Sequence, residues 1–194
     1  MKYLKKYELF LNKTLIKVDV LTIDELNELY LKLYKGKQIN LKDKIQYFDY
    51  HDLNAWGGTD KHWETLRYIT AYNDVDIIGL CKFAYWDFSE SYAISYLSTN
   101  KDYLRKGVSK KMLDVLFKWF SETYPKEIMY WSGYSIDGWL YLRPTIKEMA
   151  KKYNVQMKEK AIEYITNWSD ENRELFNKSR EEINKEYNMS YHIY

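Results

Sequence analysis

The sequence is poor in residues that bind metals or form disulfides. Among its 194 residues it has one cysteine, Cys81, and three histidines, His51, His62 and His192. A single cysteine excludes a disulfide within the chain and a zinc site made of cysteines, and the scattered histidines do not predict a ligand cluster. We therefore expect a protein without a metal cofactor, located in a reducing compartment, the cytoplasm.

Long apolar runs and an excess of one charge are also missing. No stretch approaches the roughly 20 apolar residues of a membrane span. Glu8 interrupts the basic start of the chain, which therefore does not resemble a signal peptide. Lysine and arginine total 30 against 28 acidic residues, a net charge of +2. This balance gives no sign of a membrane partner and argues against nucleic acid as a partner.

The composition is nevertheless that of a folded protein, with 46% hydrophobic residues. The length suits one domain with an appendage. We predict a domain over residues 1–157 and a helical extension over residues 158–194. The extension would pack on the domain, or on a partner subunit in a homodimer, and its charges of both signs would form a solvated face.

The first half of the domain shows clear periodicities. LIKVDVLT predicts a strand around 14–21, and Thr22 followed by Glu25 has capping-box spacing for a helix that ends at Gly36. The runs RYITAYN, DVDIIGLCKFAYWDF and SYAISYLSTN then predict three strands with short links. Three such strands favour an antiparallel meander.

The second half alternates helices and strands. VSKKMLDVLFKWFSETY has one apolar stripe and ends before Pro125, and a strand is predicted over 127–132. A helix from about Pro144, a short strand at VQMK and a helical tail from Glu159 to Tyr187 follow. This order predicts an α+β fold around a mixed sheet.

The stretch KDYLRKGVSKKML, Lys101 to Leu113, joins a strand to a helix through a basic loop with one glycine. A helix start exposes unpaired backbone N–H groups and the positive end of the helix dipole, where phosphates bind. Gly107 allows close approach of a ligand to the backbone. The repeated glycines of a Walker A loop or a dinucleotide fingerprint are absent, so the loop can also be an ordinary basic turn.

Residues 97–113 resemble motif A of the GNAT acetyltransferase superfamily, Gln/Arg-x-x-Gly-x-Gly/Ala after a strand. Leu97-Ser98-Thr99 matches the strand and Leu104 to Ser109 matches the loop, although the first and last motif positions hold Leu104 and Ser109. The resemblance covers about residues 14–157. It implies a GNAT-like, mostly antiparallel mixed sheet flanked by helices, with the C-terminal helical extension lying outside it.

The resemblance also implies an N-acetyltransferase that moves an acetyl group from acetyl-CoA to an amine, by direct attack in a ternary complex. The amine would belong to a small molecule or a protein. The implied acetyl-CoA-binding residues are those of the strand end and the loop: Leu97, Ser98, Thr99, Leu104, Arg105, Lys106, Gly107, Val108, Ser109 and Lys110.

The catalytic residues are less clear from the sequence. Some family members carry a glutamate base on the strand before the loop, and Ala93 stands at that position here. Asp87 and Glu90 are the nearest acids and could act through water, or could simply be solvated turn residues. Tyr141, with Tyr134 behind it, is the candidate acid for the leaving thiolate.

Acceptor binding is expected from the segment DYHDLNAWGGTDKHWETL. Trp56, His62 and Trp63 could line the acceptor pocket, or the tryptophans could simply cover the sheet. His62 could also act as a base. Two other functions stay open: a catalytically silent GNAT-like fold that binds a protein, and a nucleic-acid-binding module that uses the basic loop and aromatic side chains.

Overall fold

The computed structural model describes residues 7–11, 14–35, 60–87, 90–131, 141–159 and 178. These ranges contain one seven-stranded sheet in chain order. The strands are β1 Tyr7–Leu11, β2 Thr14–Leu21, β3 Arg67–Tyr72, β4 Ile77–Trp86, β5 Ser91–Thr99, β6 Met129–Trp131 and β7 Met157–Glu159. The helices are α1 Ile23–Tyr34, α2 Asp60–Thr65, α3 Val108–Thr123 and α4 Arg143–Lys152, with a 3-10 turn at Lys101–Tyr103.

The sheet is mixed and mostly antiparallel, as predicted. Strands β1 to β5 pair antiparallel in sequence, and the β5–β6 and β6–β7 pairs are parallel. The three-strand meander is confirmed as β3, β4 and β5. Strand β1 was not predicted, because its apolar residues have mixed spacing; it forms a hairpin with β2 in which Tyr7 opposes Val18.

Two hydrophobic clusters cover opposite faces of the sheet. On the α3 face, strand residues such as Ile16 and Ile69 pack with Met112 and Phe120 of α3. On the α1 face, Tyr68, Leu80 and Ala84 belong to the cluster that includes α1. Strand β4 is buried at its first eight positions because helices cover both of its faces.

Local signals in the sequence position the helices well. The predicted apolar stripe of α3 is buried from Val108 to Phe120, with Trp119 at its partly buried edge. Helix α4 has Pro144 in its first turn. Strand β6 begins at Met129, two residues after the predicted start at 127, and β7 extends to Glu159, where the helical tail was expected to begin.

The remaining predictions lie largely outside the described residues. They concern residues 37–59, where the sequence predicts a helix broken by a loop at Trp56-Gly57-Gly58, and, apart from Lys178, the helical tail beyond residue 159. The proposed division into a domain and an extension stays a prediction. No helix within the described ranges is long and apolar enough to cross a membrane.

Candidate functional site

The loop between β5 and α3 is held in place by backbone hydrogen bonds. The N–H of Asn100 donates to the carbonyl of Ile78 at 2.7 Å, which ties the end of β5 to β4. The Asn100 side chain accepts from the N–H of Asp102 at 3.0 Å and so caps the 3-10 turn. These contacts give the basic stretch a defined path from the sheet to the helix.

Helix α3 begins without a side-chain cap. Gly107 is its N-cap residue, with φ of 80°, and makes no side-chain capping hydrogen bond. The first helical hydrogen bond runs from the N–H of Lys111 to the carbonyl of Gly107, at 3.0 Å. The N–H groups of Val108, Ser109 and Lys110 come before this bond in the chain. They have no carbonyl acceptor within the helix.

Among the described residues, the space beside the Cα of Gly107 is open. A Cβ built on Gly107 would meet no atom within 4 Å among the described residues. Glycine therefore suits this position because of its backbone conformation, which side chains rarely adopt, and not because of crowding. Arg105 also has positive φ, 59°, so the chain reverses sharply just before the helix.

Cationic side chains surround the helix start. The Nζ of Lys106 donates to the carbonyl of Asp102 at 2.8 Å, which folds this side chain back along the loop. The guanidinium of Arg105 lies 5.9 Å from the ring centroid of Tyr141. Lys110 forms a salt bridge with Glu148 at 2.8 Å. The loop and the first turn of α3 thus carry three cationic residues, one of which is paired with an acid.

Helices α3 and α4 run parallel and begin at the same edge of the sheet. Lys110 pairs with Glu148, and one turn further along Asp114 accepts from Lys152 at 2.6 Å and from Tyr153 at 2.7 Å. Partial burial acts to raise the pKa of Asp114, but these hydrogen bonds outweigh it and lower the pKa below its ordinary value. The parallel pairing places the start of α4, with Tyr141 before it, beside the basic loop.

The C-terminal half of β5 leads to the edge of the sheet where α3 and α4 begin. The register with β4 shifts between Ile94 and Tyr96, which makes Ser95 a bulge. Pairing with β6 covers only Tyr92 to Ile94. Within the described residues, the segment from Ser95 to Thr99 therefore pairs on its β4 side alone. Thr99 Oγ1 lies 2.8 Å from Ser109 Oγ, so this segment leads directly into the first turn of α3.

The two candidate acids lie at the other end of β5. Asp87 follows β4, and Glu90 precedes β5 with φ of 45° and donates its N–H to the carbonyl of Asp87 at 3.2 Å. At about 3.3 Å per strand residue, Glu90 is roughly 30 Å along β5 from Thr99 and roughly 15 Å from the bulge. The fold brings Tyr141 to the basic loop and leaves both acids distant from it.

Of the predicted acceptor residues, His62 and Trp63 are described and lie on α2. His62 is 2% exposed, its Nδ1 lies 2.7 Å from the Tyr85 carbonyl, and its ring packs edge-on against Trp86. A neutral His62 must donate from Nδ1, which leaves Nε2 as its basic nitrogen. Trp63 is 39% exposed. Trp56 and Tyr134 lie outside the described residues.

The structure also reveals a buried cation that the sequence prediction did not select. Lys82 is 6% exposed in the middle of β4. It interrupts the apolar run DIIGLCKFAYW, and a lone charge in such a run was the signal that could have identified it. In the part of the chain that the structure describes, no three side chains form a group able to hold a metal ion.

Comparisons with known proteins give one family match. The model of the acetyltransferase (GNAT) family matches residues 24–133, more than half of the chain. The matched range contains β5, the basic loop and α3. A comparison with curated proteins found no match.

Two solved structures are similar to the chain. The structure of AAC(6')-Iy in complex with the bisubstrate analog CoA-S-monomethyl-acetylneamine has 13% sequence identity and a TM-score of 0.42, covering 79% of this chain and 99% of that chain. An integron cassette protein from the mobile metagenome of V. cholerae has 14% identity and a TM-score of 0.41, covering 82% and 96%. Similarity this distant carries no argument about activity.

Proposed function

This chain belongs to the GNAT acetyltransferase family, and from that premise we propose that it transfers an acetyl group from acetyl-CoA to an amine. Family membership supports acetyltransferase activity in general. The use of acetyl-CoA and of an amine acceptor, together with the residues that bind them, is the proposal developed here.

The open start of α3 is the observation that carries this proposal. Three backbone N–H groups and the positive end of a 16-residue helix lie beside Gly107, and Arg105 and Lys106 directly precede it in the chain. Pyrophosphate has the charge and the acceptor oxygens that such a point attracts. Lys110 adds charge, although Glu148 neutralises part of it.

The edge of β5 supplies the second part of the binding site. The peptide groups from Leu97 to Thr99 lead from the bulge to the helix start. An arm that contains amide groups can pair with such a strand edge, as an added strand does. Leu104 is 55% exposed and offers apolar surface beside the loop.

The chemistry requires two proton transfers around one substitution at carbon. The amine nitrogen forms a bond to the thioester carbon, the carbon–sulfur bond breaks, and the leaving thiolate takes a proton. We assign that proton to Tyr141, which precedes α4 beside Arg105, with Tyr134 as the second candidate. The amine loses its proton to water, with Asp87 or Glu90 as the final acceptor.

Acceptor binding is assigned to the α2 end of the sheet. Trp63 presents partly exposed ring surface, and the contact of Nδ1 with the Tyr85 carbonyl leaves Nε2 as the basic nitrogen that we assign to His62. We include Trp56 in this pocket on the basis of the sequence alone.

The first test is titration of the protein with acetyl-CoA and, separately, with free CoA. Calorimetry and tryptophan fluorescence measure the binding. We expect binding that Gly107→Val weakens at least 100-fold, about 2.8 kcal/mol, because a branched side chain strains the left-handed residue and projects into the open space. Lys35→Val is the matched control, since Lys35 is also left-handed, at the end of α1. Equal binding by both variants would contradict a phosphate loop.

A catalytically silent GNAT-like fold is the second candidate, and Ala93 favours it. This residue is 6% exposed and brings no base to the strand. The two candidates differ in thiol release when the acetyl-CoA complex is offered a panel of amines. Binding of acetyl-CoA without turnover of any amine supports the silent fold. If acetyl-CoA does not bind, both the proposed acetyl-CoA site and the proposed acetyl transfer are overturned.

A further inference from the structure

A cavity lies at the far end of α3 from the basic loop. Its volume is about 280 Å³, close to the lower limit of roughly 300 Å³ for pockets that hold small ligands. The residues that line it fall within two segments, 120–127 after and within the last turn of α3, and 153–156 directly after α4. At 1.5 Å per helical residue, the 16 residues of α3 put the cavity roughly 24 Å from Gly107. It is therefore separate from the proposed acetyl-CoA site.

Aromatic rings form much of the cavity wall. Phe120 is the most buried lining residue, at 1% exposed, and Tyr124 and Tyr153 are half-buried. The ring of Tyr124 packs on that of Tyr92, with centroids 4.4 Å apart. The Nζ of Lys152 lies 4.8 Å from the ring centroid of Tyr153. A cation of the chain thus already lies near Tyr153, and Phe120 and Tyr124 offer the remaining aromatic surface.

Both helices reach the cavity with their C-terminal ends. Helix α3 ends at Thr123 and α4 at Lys152. The C-terminus of a helix carries the partial negative charge of its last carbonyl groups. Ser121 lines the cavity, and the residue four positions later is Pro125, which has no N–H to donate to the Ser121 carbonyl. The backbone therefore favours a positively charged ligand in this cavity.

The side chains at the rim carry one charge of each sign. Lys126 and Glu127 both line the cavity and are exposed. Burial raises the pKa of Tyr92 to about 12, and the charges of Tyr124 and Glu127 add to the rise. The Glu127 carboxylate therefore lies close enough to the aromatic rings to affect them. Because the two rim charges offset each other in sum, the helix ends leave the cavity with an excess of negative potential.

The aromatic cluster beside the cavity already holds an ammonium group of the chain. The Nζ of Lys61 lies 3.5 Å from the ring centroid of Tyr85. Tyr85 packs on Tyr92, and Tyr92 packs on Tyr124. The face of a tyrosine ring attracts cations through its negative quadrupole. The cavity offers the same kind of surface to a cation from outside the chain.

We propose that this cavity is a second ligand site, which takes a small organic cation such as a quaternary ammonium compound. The helix ends and the Glu127 carboxylate suit its charge, and the aromatic wall suits its apolar surface. An anion would be repelled by both helix ends. The proposal does not depend on acetyl transfer, because the two sites lie at opposite ends of α3.

The test compares two molecules of the same shape that differ in charge. Choline carries a quaternary ammonium group, and neohexyl alcohol has a carbon atom in place of the nitrogen. Saturation-transfer NMR on the methyl signal that both molecules give measures their dissociation constants. We expect choline to bind about tenfold more tightly than the alcohol, because only the cation is attracted by the helix ends, the carboxylate and the rings.

Glu127→Gln and Lys126→Gln are a matched pair of variants at the rim. Both residues are exposed, so neither change should unfold the protein. Glu127→Gln should weaken choline binding roughly threefold, as expected for the loss of one exposed charge pair. Lys126→Gln removes a repelling charge and should not weaken it. Neither variant should change the affinity for the alcohol.

Tyr124→Phe and Tyr124→Leu test the aromatic wall. Phenylalanine keeps the ring and should keep choline binding, whereas leucine removes the ring and should weaken binding roughly threefold to tenfold. Tyr124→Leu also loses the contact with Tyr92, so thermal unfolding must show that this variant is folded. If it is not folded, the pair of rim variants decides.

The proposal is overturned if choline does not bind, or if choline and the alcohol bind equally. It is also overturned if Glu127→Gln leaves the affinity for choline unchanged, or if Lys126→Gln lowers it as much, since the cation then binds elsewhere. The acetyl-CoA titration concerns the other end of α3, so its result affects the proposed function alone.

Discussion

Helices α1 and α3 begin in opposite ways. At the start of α1, Thr22 accepts a hydrogen bond from the N–H of Glu25, and Glu25 accepts one from the N–H of Thr22, at 3.3 and 2.8 Å. At the start of α3, Gly107 has no side chain to offer, and Lys110 occupies the position that corresponds to Glu25. One helix satisfies part of its first turn with its own side chains, and the other leaves its first turn exposed.

The charged residues at the two helix starts differ as well. The first turn of α1 contains Asp24 and Glu25, which stabilise the positive end of the helix dipole. The first turn of α3 contains no acid, and Arg105 and Lys106 precede it. A glycine at the N-cap gives up roughly a few tenths of a kcal/mol of local stabilisation relative to a capping side chain. We infer that α1 begins as a structural element and α3 as a binding element.

Exchanging the charge at the third helical position tests this comparison most strongly. Lys110→Glu gives α3 the acidic residue that α1 has, and should weaken acetyl-CoA binding at least tenfold, about 1.4 kcal/mol, through repulsion of the pyrophosphate. Calorimetry at two salt concentrations measures the effect, which should shrink as salt rises.

Lys110→Gln is the control for that exchange. It also breaks the salt bridge to Glu148 but adds no negative charge, so its loss of affinity should be smaller. Equal affinity for wild type and Lys110→Glu would show that the start of α3 does not bind the phosphates.

Removing the cap of α1 should have the complementary result. Thr22→Ala deletes one half of the capping box and should lower the free energy of unfolding by about 1 kcal/mol, measured by urea denaturation. Acetyl-CoA affinity should stay within about twofold of wild type, since no part of α1 enters the proposed phosphate site. A loss of affinity as large as that of Lys110→Glu would remove the distinction between the two helix starts.

The smallest expected effect concerns the alignment of α3 with α4. Because the pKa of Asp114 is lowered in the folded protein, this carboxylate stabilises the fold above its ordinary pKa, and the contribution is lost as pH falls through the folded pKa. Asp114→Asn should therefore lower stability at neutral pH by less than about 1 kcal/mol, since solvent screens the ion pair.

Thermal unfolding across the acidic range checks this prediction. The stability of wild type should exceed that of Asp114→Asn at neutral pH. The two stabilities should converge as Asp114 is protonated. A difference that stays constant down to strongly acidic pH would mean that hydrogen-bond geometry, and not the charge of Asp114, holds the helices together.

The sequence by itself determined the features that depend on residues close together in the chain. The capping box at Thr22 and Glu25, the meander from β3 to β5 and the stripe of α3 all rest on spacings of a few residues, so periodicity predicts them. The glycine before α3 belongs to this group, because its left-handed backbone is a local conformation that glycine adopts at little cost. Family resemblance then predicted the mixed sheet around them.

Only the tertiary structure decided which distant residues meet. The parallel pairing of β5 with β6 aligns α3 and α4 and brings Tyr141 to Arg105, while Asp87 and Glu90 remain at the far end of β5. The bulge at Ser95 arises from an extra residue in β5 relative to β4, which neither strand reveals alone. Lys82 lies opposite Tyr68 and Tyr96 for the same reason: strand register is set by packing across the whole sheet, and no local pattern encodes it.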